Sequence, residues 1–287
     1  MIQTKQNDFS SVAELLDGIL EGNLGPKPET LIVTGASNVY QTTQFPSSTT
    51  KYHNYYLLLR VEASFGACSH TSDQLNMESG AEFSGLPLDE VLRDKRLPVQ
   101  IAAMDAYLGA VFPHPECCSS IIEVAGGTPI QKAKQRDMLI ANTATIQAGE
   151  KVALIGVVNP LVEAIKQSGG TCLPCDLHLK ETQWGETVEK DMDIVLDQAN
   201  RVICTGMTLS NGSFDHILSR VRERKIPLTV YAQTGSAVIA QFVKQGVTSL
   251  VAEPFPFTQF SATASQLYCY SSREEQQHVN EYKAGYR

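Results

Sequence analysis

Val202-Ile-Cys-Thr-Gly-Met-Thr-Leu-Ser-Asn-Gly-Ser-Phe-Asp215 runs from a short apolar stretch into a hydroxyl- and glycine-rich loop, and the helical pattern Phe214-Asp-His-Ile-Leu-Ser-Arg-Val221 follows at once. A buried strand, a loop of small donors and a helix start bring backbone N–H groups and hydroxyls to one spot. Open α/β sheets bind ligands there, outside the carboxyl ends of their strands. The same grammar recurs around it. Lys151-Val-Ala-Leu-Ile-Gly-Val-Val158 is a near-continuous apolar run, as expected of a parallel strand covered on both faces. Residues 161–168 read as its helix, ended by Gly169-Gly170. Further strands are expected within 171–176, 197–204, 228–232 and 249–252, with a helix over 237–244. Strands alternating with helices at this spacing predict a parallel α/β sheet of Rossmann type.

Before about residue 145 the texture differs. Helices are expected over 9–20, 87–92, 99–110 and 130–143, and short strands over 30–34 and 54–62, the second leading into 65–70. The 99–110 helix is rich in small residues, which suits close packing. The segment from Pro113 to Pro129 reads as polar loop, and the tail after Ser271 as a terminal helix or a frayed end. The expectation is α/β overall: a smaller α+β domain over 1–145 and a Rossmann-like ligand-binding domain over 146–287.

Composition narrows the function classes. In 287 residues, 43% apolar and 19% charged content predicts a packed core. A formal charge of −8 argues against a nucleic-acid partner. No apolar run is long enough to span a bilayer and no signal-peptide core is visible, so a cytoplasmic protein without membrane partners is expected. Seven cysteines, an odd number, then read as reduced thiols. A homodimer is the default expectation.

Several positions are candidates for ligand chemistry. Gly156-Val-Val-Asn-Pro160 is the first strand-to-helix loop, and Asp176 ends the next strand at the spacing where an acidic side chain meets a ribose diol. Asp176 could equally cap its strand end. The fingerprint G-x-G-x-x-G is absent, which disfavours tight pyrophosphate binding, whereas S-adenosylmethionine carries no phosphate. Gly156, Asn159, Asp176, Thr205, Gly206, Thr208 and Asn211 are therefore expected to line a cofactor pocket. Asn211-Gly212 could also be a turn and Ser213 an N-cap. Tyr231-Ala-Gln-Thr-Gly-Ser-Ala-Val238 repeats the design, placing Thr234 and Ser236 beside the first loop.

A metal reading rests on His114, Cys117 and Cys118 in the polar segment, and on Cys172, Cys175 and His178. The latter cysteines lie on a strand whose alternate residues face opposite ways, unless Pro174 bends it. Cys68 with His70 is a further pair. All could instead be buried thiols acting as small hydrophobes. No G-x-S-x-G, H-E-x-x-H or phosphate-binding P-loop occurs, so hydrolase and NTP-driven readings lack support.

Thr205-Gly-Met-Thr-Leu-Ser-Asn-Gly-Ser213 resembles the signature T-G-x-T-L-x-N-G-T of the family labelled a putative heavy-metal chelation domain. Residues 232–247 resemble that family's G-P-S-T-P-L…F…G-V segment, with Gly235 and Ala237 in place of prolines. Ser79-Gly-Ala-Glu-Phe-Ser-Gly-Leu-Pro-Leu88 and Gln100-Ile-Ala-Ala-Met-Asp-Ala106 resemble its N-terminal S-A-G-x-L-x-G-x-P-L and G-x-A-A-x-N-A, with Asp105 for the usual Asn. The resemblance covers most of residues 50–252. It implies an enolase-N-like first domain, a Rossmann-like second domain and a cleft between them with a metal-related role.

The expectation is a small-molecule biosynthetic enzyme, with transferase or cyclase chemistry on S-adenosylmethionine in the interdomain cleft. Glu78, His70 and Tyr107 would face a small polar, amino-acid-like or metallophore-related substrate. The alternative is a non-catalytic metal- or metal-chelate-binding protein using His114, Cys117 and Cys118, with the Cys172–His178 segment.

Overall fold

The computed structural model describes residues 8–44 and 51–272. The expected terminal helix or frayed tail after Ser271 lies almost wholly outside the described residues. The helices are α1 Val12–Leu20, α2 Leu88–Leu92, α3 Leu97–Val111, α4 His114–Cys117, α5 Pro129–Ala144, α6 Asn159–Gln167, α7 Met192–Gln198, α8 Met207–Ser210, α9 Phe214–Arg224 and α10 Ser236–Ala240. The strands are β1 Val33–Gln44, β2 Lys51–Val61, β3 Ser64–His70, β4 Ser120–Val124, β5 Lys151–Ile155, β6 Thr171–Cys175, β7 Arg201–Thr205, β8 Leu228–Ala232, β9 Ser249–Ala252 and β10 Ser265–Ser271.

β1, β2 and β3 form an antiparallel sheet in that order. The other seven form one sheet in the order β4-β10-β9-β8-β7-β5-β6. From β6 to β9 all pairings are parallel, and β10 runs antiparallel to both β9 and β4. The protein is thus α/β, with a mostly parallel larger sheet and a smaller antiparallel one. The chain leaves β5 outward to β6 and returns to β7 on β5's other side. The crevice between β5 and β7 is therefore the strand-order reversal, where such sheets open a ligand site.

Alternation along the buried strands assigns the two faces. Ala153, Ile155, Val202 and Cys204 join a core with α3, α9 and α10, while Val152, Leu154 and Ile203 join one with α5 and α6. The first core also takes in Leu57, Leu59 and Cys68 of the small sheet, so a single apolar core runs through both sheets. Helix α3 is the pivot. Its residues from Ile101 to Leu108 are all buried, as required of a helix covered on every side. Its small residues permit that: a Cβ added at Gly66 of β3 would stand 2.1 Å from Ala102 O and from Ala106 N.

The segment 113–129, expected to be loop, contains the turn α4 and strand β4. β4 is an edge strand with only Val124 buried, so its apolar signal is weak. β4 pairs with β10, and α5 packs on the large sheet beside α6, so residues 120–144 lie with the larger sheet and not with the smaller one. The expected boundary near residue 145 separates elements that the sheet joins.

Candidate functional site

A cavity of about 1040 Å³ opens at the carboxyl ends of the parallel strands. Its floor is Leu154 and Gly156 after β5, Asp176 after β6, Cys204 and Thr205 at β7, and Tyr231, Gln233 and Thr234 at β8. One wall is α5, from Thr128 to Asp137. The other is the far end of the β1–β2 ribbon, including Gln41, Tyr52 and Asn54.

Gly156 takes φ +86, and a Cβ there would lie 2.0 Å from Thr205 Cγ2. Only glycine allows both that turn and so close an approach at the strand-order reversal. Asp176 lines the cavity, but its oxygens are in use: Oδ2 accepts from Val157 N at 3.1 Å, and Oδ1 from His178 N at 2.8 Å and Leu179 N at 2.9 Å. It ties the β5 loop to the β6 loop, so the strand-end capping role weighed against ribose binding is realised. Asn159 is buried at the start of α6, its Oδ1 accepting from Gln183 N at 3.0 Å. Burial pushes the Tyr52 phenol up, a hydrogen bond with Asn159 partly offsets this, and the charges of Asp137 and Asp176 add to the rise. Tyr52, Asp137 and Asp176 line the cleft, whereas Asn159, expected to line it, is buried behind it and is not among its lining residues.

The Thr205–Ser213 signature spends most of its hydroxyls on its own fold. Thr208 Oγ1 donates to Thr205 O at 2.8 Å, Ser210 Oγ to Met207 O at 2.9 Å, and Ser213 N and Oγ donate to Asn211 Oδ1 at 3.0 and 2.6 Å. Thr208 is buried and Asn211 faces solvent, and neither lines the cavity. Gly206 lets the loop approach its neighbour, since a Cβ there would meet Thr234 O at 2.5 Å. Thr205 and Met207 are the signature residues, with Cys204 just before them, that reach the cleft. Thr234 lines it too, whereas Ser236 is turned to a second, smaller cavity of about 280 Å³.

The residues expected to face a substrate do not gather. Tyr107 is fully buried and its hydroxyl donates to Pro26 O at 2.9 Å. Glu78 is exposed beside the 3₁₀ turn Ser79–Glu82. His70 is buried with Nδ1 on Thr71 O at 3.0 Å; burial holds its imidazole below the ordinary value. None of the three lines the cleft. His114 is unsuited to metal because both ring nitrogens are taken: Nδ1 by the Tyr270 hydroxyl at 2.7 Å and Nε2 by Ser236 Oγ at 2.9 Å. Cys117 is exposed and Cys118 half-buried, with burial raising both thiols. Among the described residues no group of three or more His, Cys, Asp or Glu side chains is placed to hold a metal ion.

Charged groups that periodicity did not single out form the α5 wall. Lys132 is 2% exposed and its ammonium donates to Ser261 O and Thr263 O at 2.9 and 2.7 Å. Arg136 Nε donates to Asp137 Oδ1 at 2.8 Å, and its guanidinium lies over the Tyr231 ring at 4.9 Å. Burial opposes the Arg136 charge, but Asp137, Tyr231 and Glu253 more than offset it, and the guanidinium stays protonated. Their signal was the run Lys132 to Asp137 on a helix whose other face is apolar.

Fold and site together define a two-sheet α/β protein with a metabolite-sized cleft at a Rossmann-type strand-order reversal. Residues 139–251 match the family DUF364, described as "Putative heavy-metal chelation", which bears out the resemblance read from the Thr205–Ser213 signature. The chain is similar in fold to two solved proteins of unknown function from that family. The one from Desulfitobacterium hafniense DCB-2 is 14% identical with TM-score 0.57, over 92% of this chain and 99% of that one. The one from Pyrococcus horikoshii is 13% identical with TM-score 0.54, over 91% and 98%. No curated protein gives a significant sequence match. Among the described residues no helix is long and apolar enough to cross a membrane.

Proposed function

We propose that the cleft binds an adenosine-type ligand, S-adenosylmethionine in the first instance, beside a small polar substrate. One observation carries the reading: the cavity of about 1040 Å³ lies at the β5–β7 reversal, where the loop after β5 has a single glycine and no phosphate-cradling sequence. Its size suits a cofactor with a second small molecule. The lining mixes amides, hydroxyls and apolar side chains, which suits a nucleoside. Group transfer from a sulfonium asks for positioning more than for an acid–base pair, and most titratable side chains at the cleft are already hydrogen-bonded.

Calorimetry with S-adenosylmethionine and S-adenosylhomocysteine tests this. Binding heat is expected in the wild type and its loss in Asp176→Ala, whose β5 and β6 loops come apart. Silence with both compounds, or undiminished heat in the variant, refutes it. The family description favours a second reading, in which the cleft takes a metal already wrapped in a small chelator. As the described residues bring no three donors together, a preformed nickel–histidine complex would then bind where nickel alone does not.

A further inference from the structure

Asp137 lies on α5 where that helix borders the cleft, and it is 1% exposed. Arg136 Nε donates to its Oδ1, whereas its Oδ2 is buried and has no hydrogen-bond partner among the described residues. Glu253, the other carboxylate beside Arg136, is satisfied at both oxygens, by the Tyr231 hydroxyl and by Thr258 N. The one guanidinium is shared, 2.8 Å from Asp137 and 3.9 Å from Glu253. Lys132, on the same wall, spends its ammonium on two carbonyls. A buried acceptor without a donor is rare in a folded protein and calls for a specific explanation, and a donor carried by a molecule in the cavity that Asp137 borders is one such explanation.

We propose that Asp137 Oδ2 receives an ammonium or comparable N–H donor of the molecule held in the cleft. The inference rests on the cleft being the small-molecule site argued above, and it adds the chemistry of the ligand: a cationic amine at the α5 end. Asp176 is a poor alternative anchor, since three backbone N–H groups already occupy it. Tyr52, which feels both carboxylates, marks the end of the cleft at which the amine would sit.

Calorimetry on the full chain and on Asp137→Asn, which keeps an acceptor for Arg136, decides the matter. Asp137→Ser is run beside it, so that a folding defect peculiar to one substitution is recognised by circular dichroism. The probes are S-adenosylmethionine, 5′-methylthioadenosine, which lacks the ammonium, and putrescine, which lacks the adenosine. The expected result is at least a tenfold loss of S-adenosylmethionine affinity in both variants, with methylthioadenosine unchanged. Equal S-adenosylmethionine affinity in wild type and variants, or equal losses for both adenosine compounds, overturns the inference while leaving the cleft reading intact. If neither adenosine compound binds the wild type, the adenosine reading falls and putrescine decides. Putrescine bound by the wild type and lost in the variants sustains the inference; putrescine unbound by the wild type, or bound alike by the variants, overturns it.

Discussion

His114 couples the stability of this protein to pH. The ring is 5% exposed, held between Tyr270 and Ser236, and burial pushes its imidazole down from 6.5 to about 4. A neutral imidazole offers one donor and one acceptor, and two hydroxyls can complement either tautomer. Protonation adds a charge with no carboxylate among its hydrogen-bond partners. Between the folded and unfolded values the unfolded chain binds more protons, so this contribution is complete above about pH 6.5 and is lost as pH falls toward 4. From about pH 7.5 to pH 5 the loss from this one group amounts to about 2 kcal/mol. Urea unfolding of wild type and His114→Gln at the two pH values isolates it, because shared titrations cancel in the difference. Asp105 is one of these. Burial pushes its carboxyl up to about 7 against opposing backbone N–H donors, so its contribution has the opposite sign, present below about 3.8 and lost as pH rises through 7. The wild type's margin over His114→Gln should shrink by about 2 kcal/mol on acidification. A margin that stays constant within about 0.5 kcal/mol refutes the account of His114 as a buried neutral base.

Two further outcomes follow from the packing. Gly66→Ala places a methyl 2.1 Å from backbone atoms of α3, where no side chain can yield, and should cost more than about 3 kcal/mol, read as insoluble expression or a greatly lowered melting temperature. Asp105→Ala leaves Ala67 N and Ala237 N without their acceptor, at about 1–3 kcal/mol each. It should also remove the loss of stability between pH 5 and 8 described for that carboxyl, checked by urea unfolding across this range.

The parallel strands were legible because β5, β7, β8 and β9 are buried on both faces and therefore read as apolar runs. β10 was not, because its inward residues Leu267 and Cys269 alternate with Gln266 and Tyr268, and its edge partner β4 is distant in sequence and mostly exposed. At the cleft, Gly156, Asp176, Thr205 and Thr234 could be found because strand ends announce themselves by a change from apolar to small polar residues. Thr208 and Asn211 carry the same chemical types but face inward or outward according to the turn α8, which composition does not show. Arg136, Asp137 and Lys132 look like an ordinary solvated helix face until the fold supplies their partners: Ser261 O and Thr263 O for Lys132, and Tyr231 and Glu253 beside the Arg136–Asp137 pair. Tyr107 illustrates the converse: a polar tip that suggested chemistry finds its partner in Pro26 O.

Whether the cleft exists before a ligand arrives depends on how its two walls are joined, and Asp105 bears on this directly. It stands on α3, accepts from Ala67 N of β3 at 2.9 Å and from Ala237 N of α10 at 2.8 Å, and Gly235 N donates to Ala67 O at 2.9 Å. One carboxylate and one backbone bond thus fasten the small sheet to the loop after β8, which also supplies Thr234 to the cavity. The ribbon wall belongs to that small sheet, so it is fixed to the strand-end floor through α3 and the continuous core. A site whose walls are joined in this way spends little of a ligand's binding free energy on closure. Its selectivity then rests on the side chains that face inward. On this reasoning Asp105, which does not line the larger cavity, governs affinity through the spacing of the walls, while Asp137 governs which charge the cleft accepts.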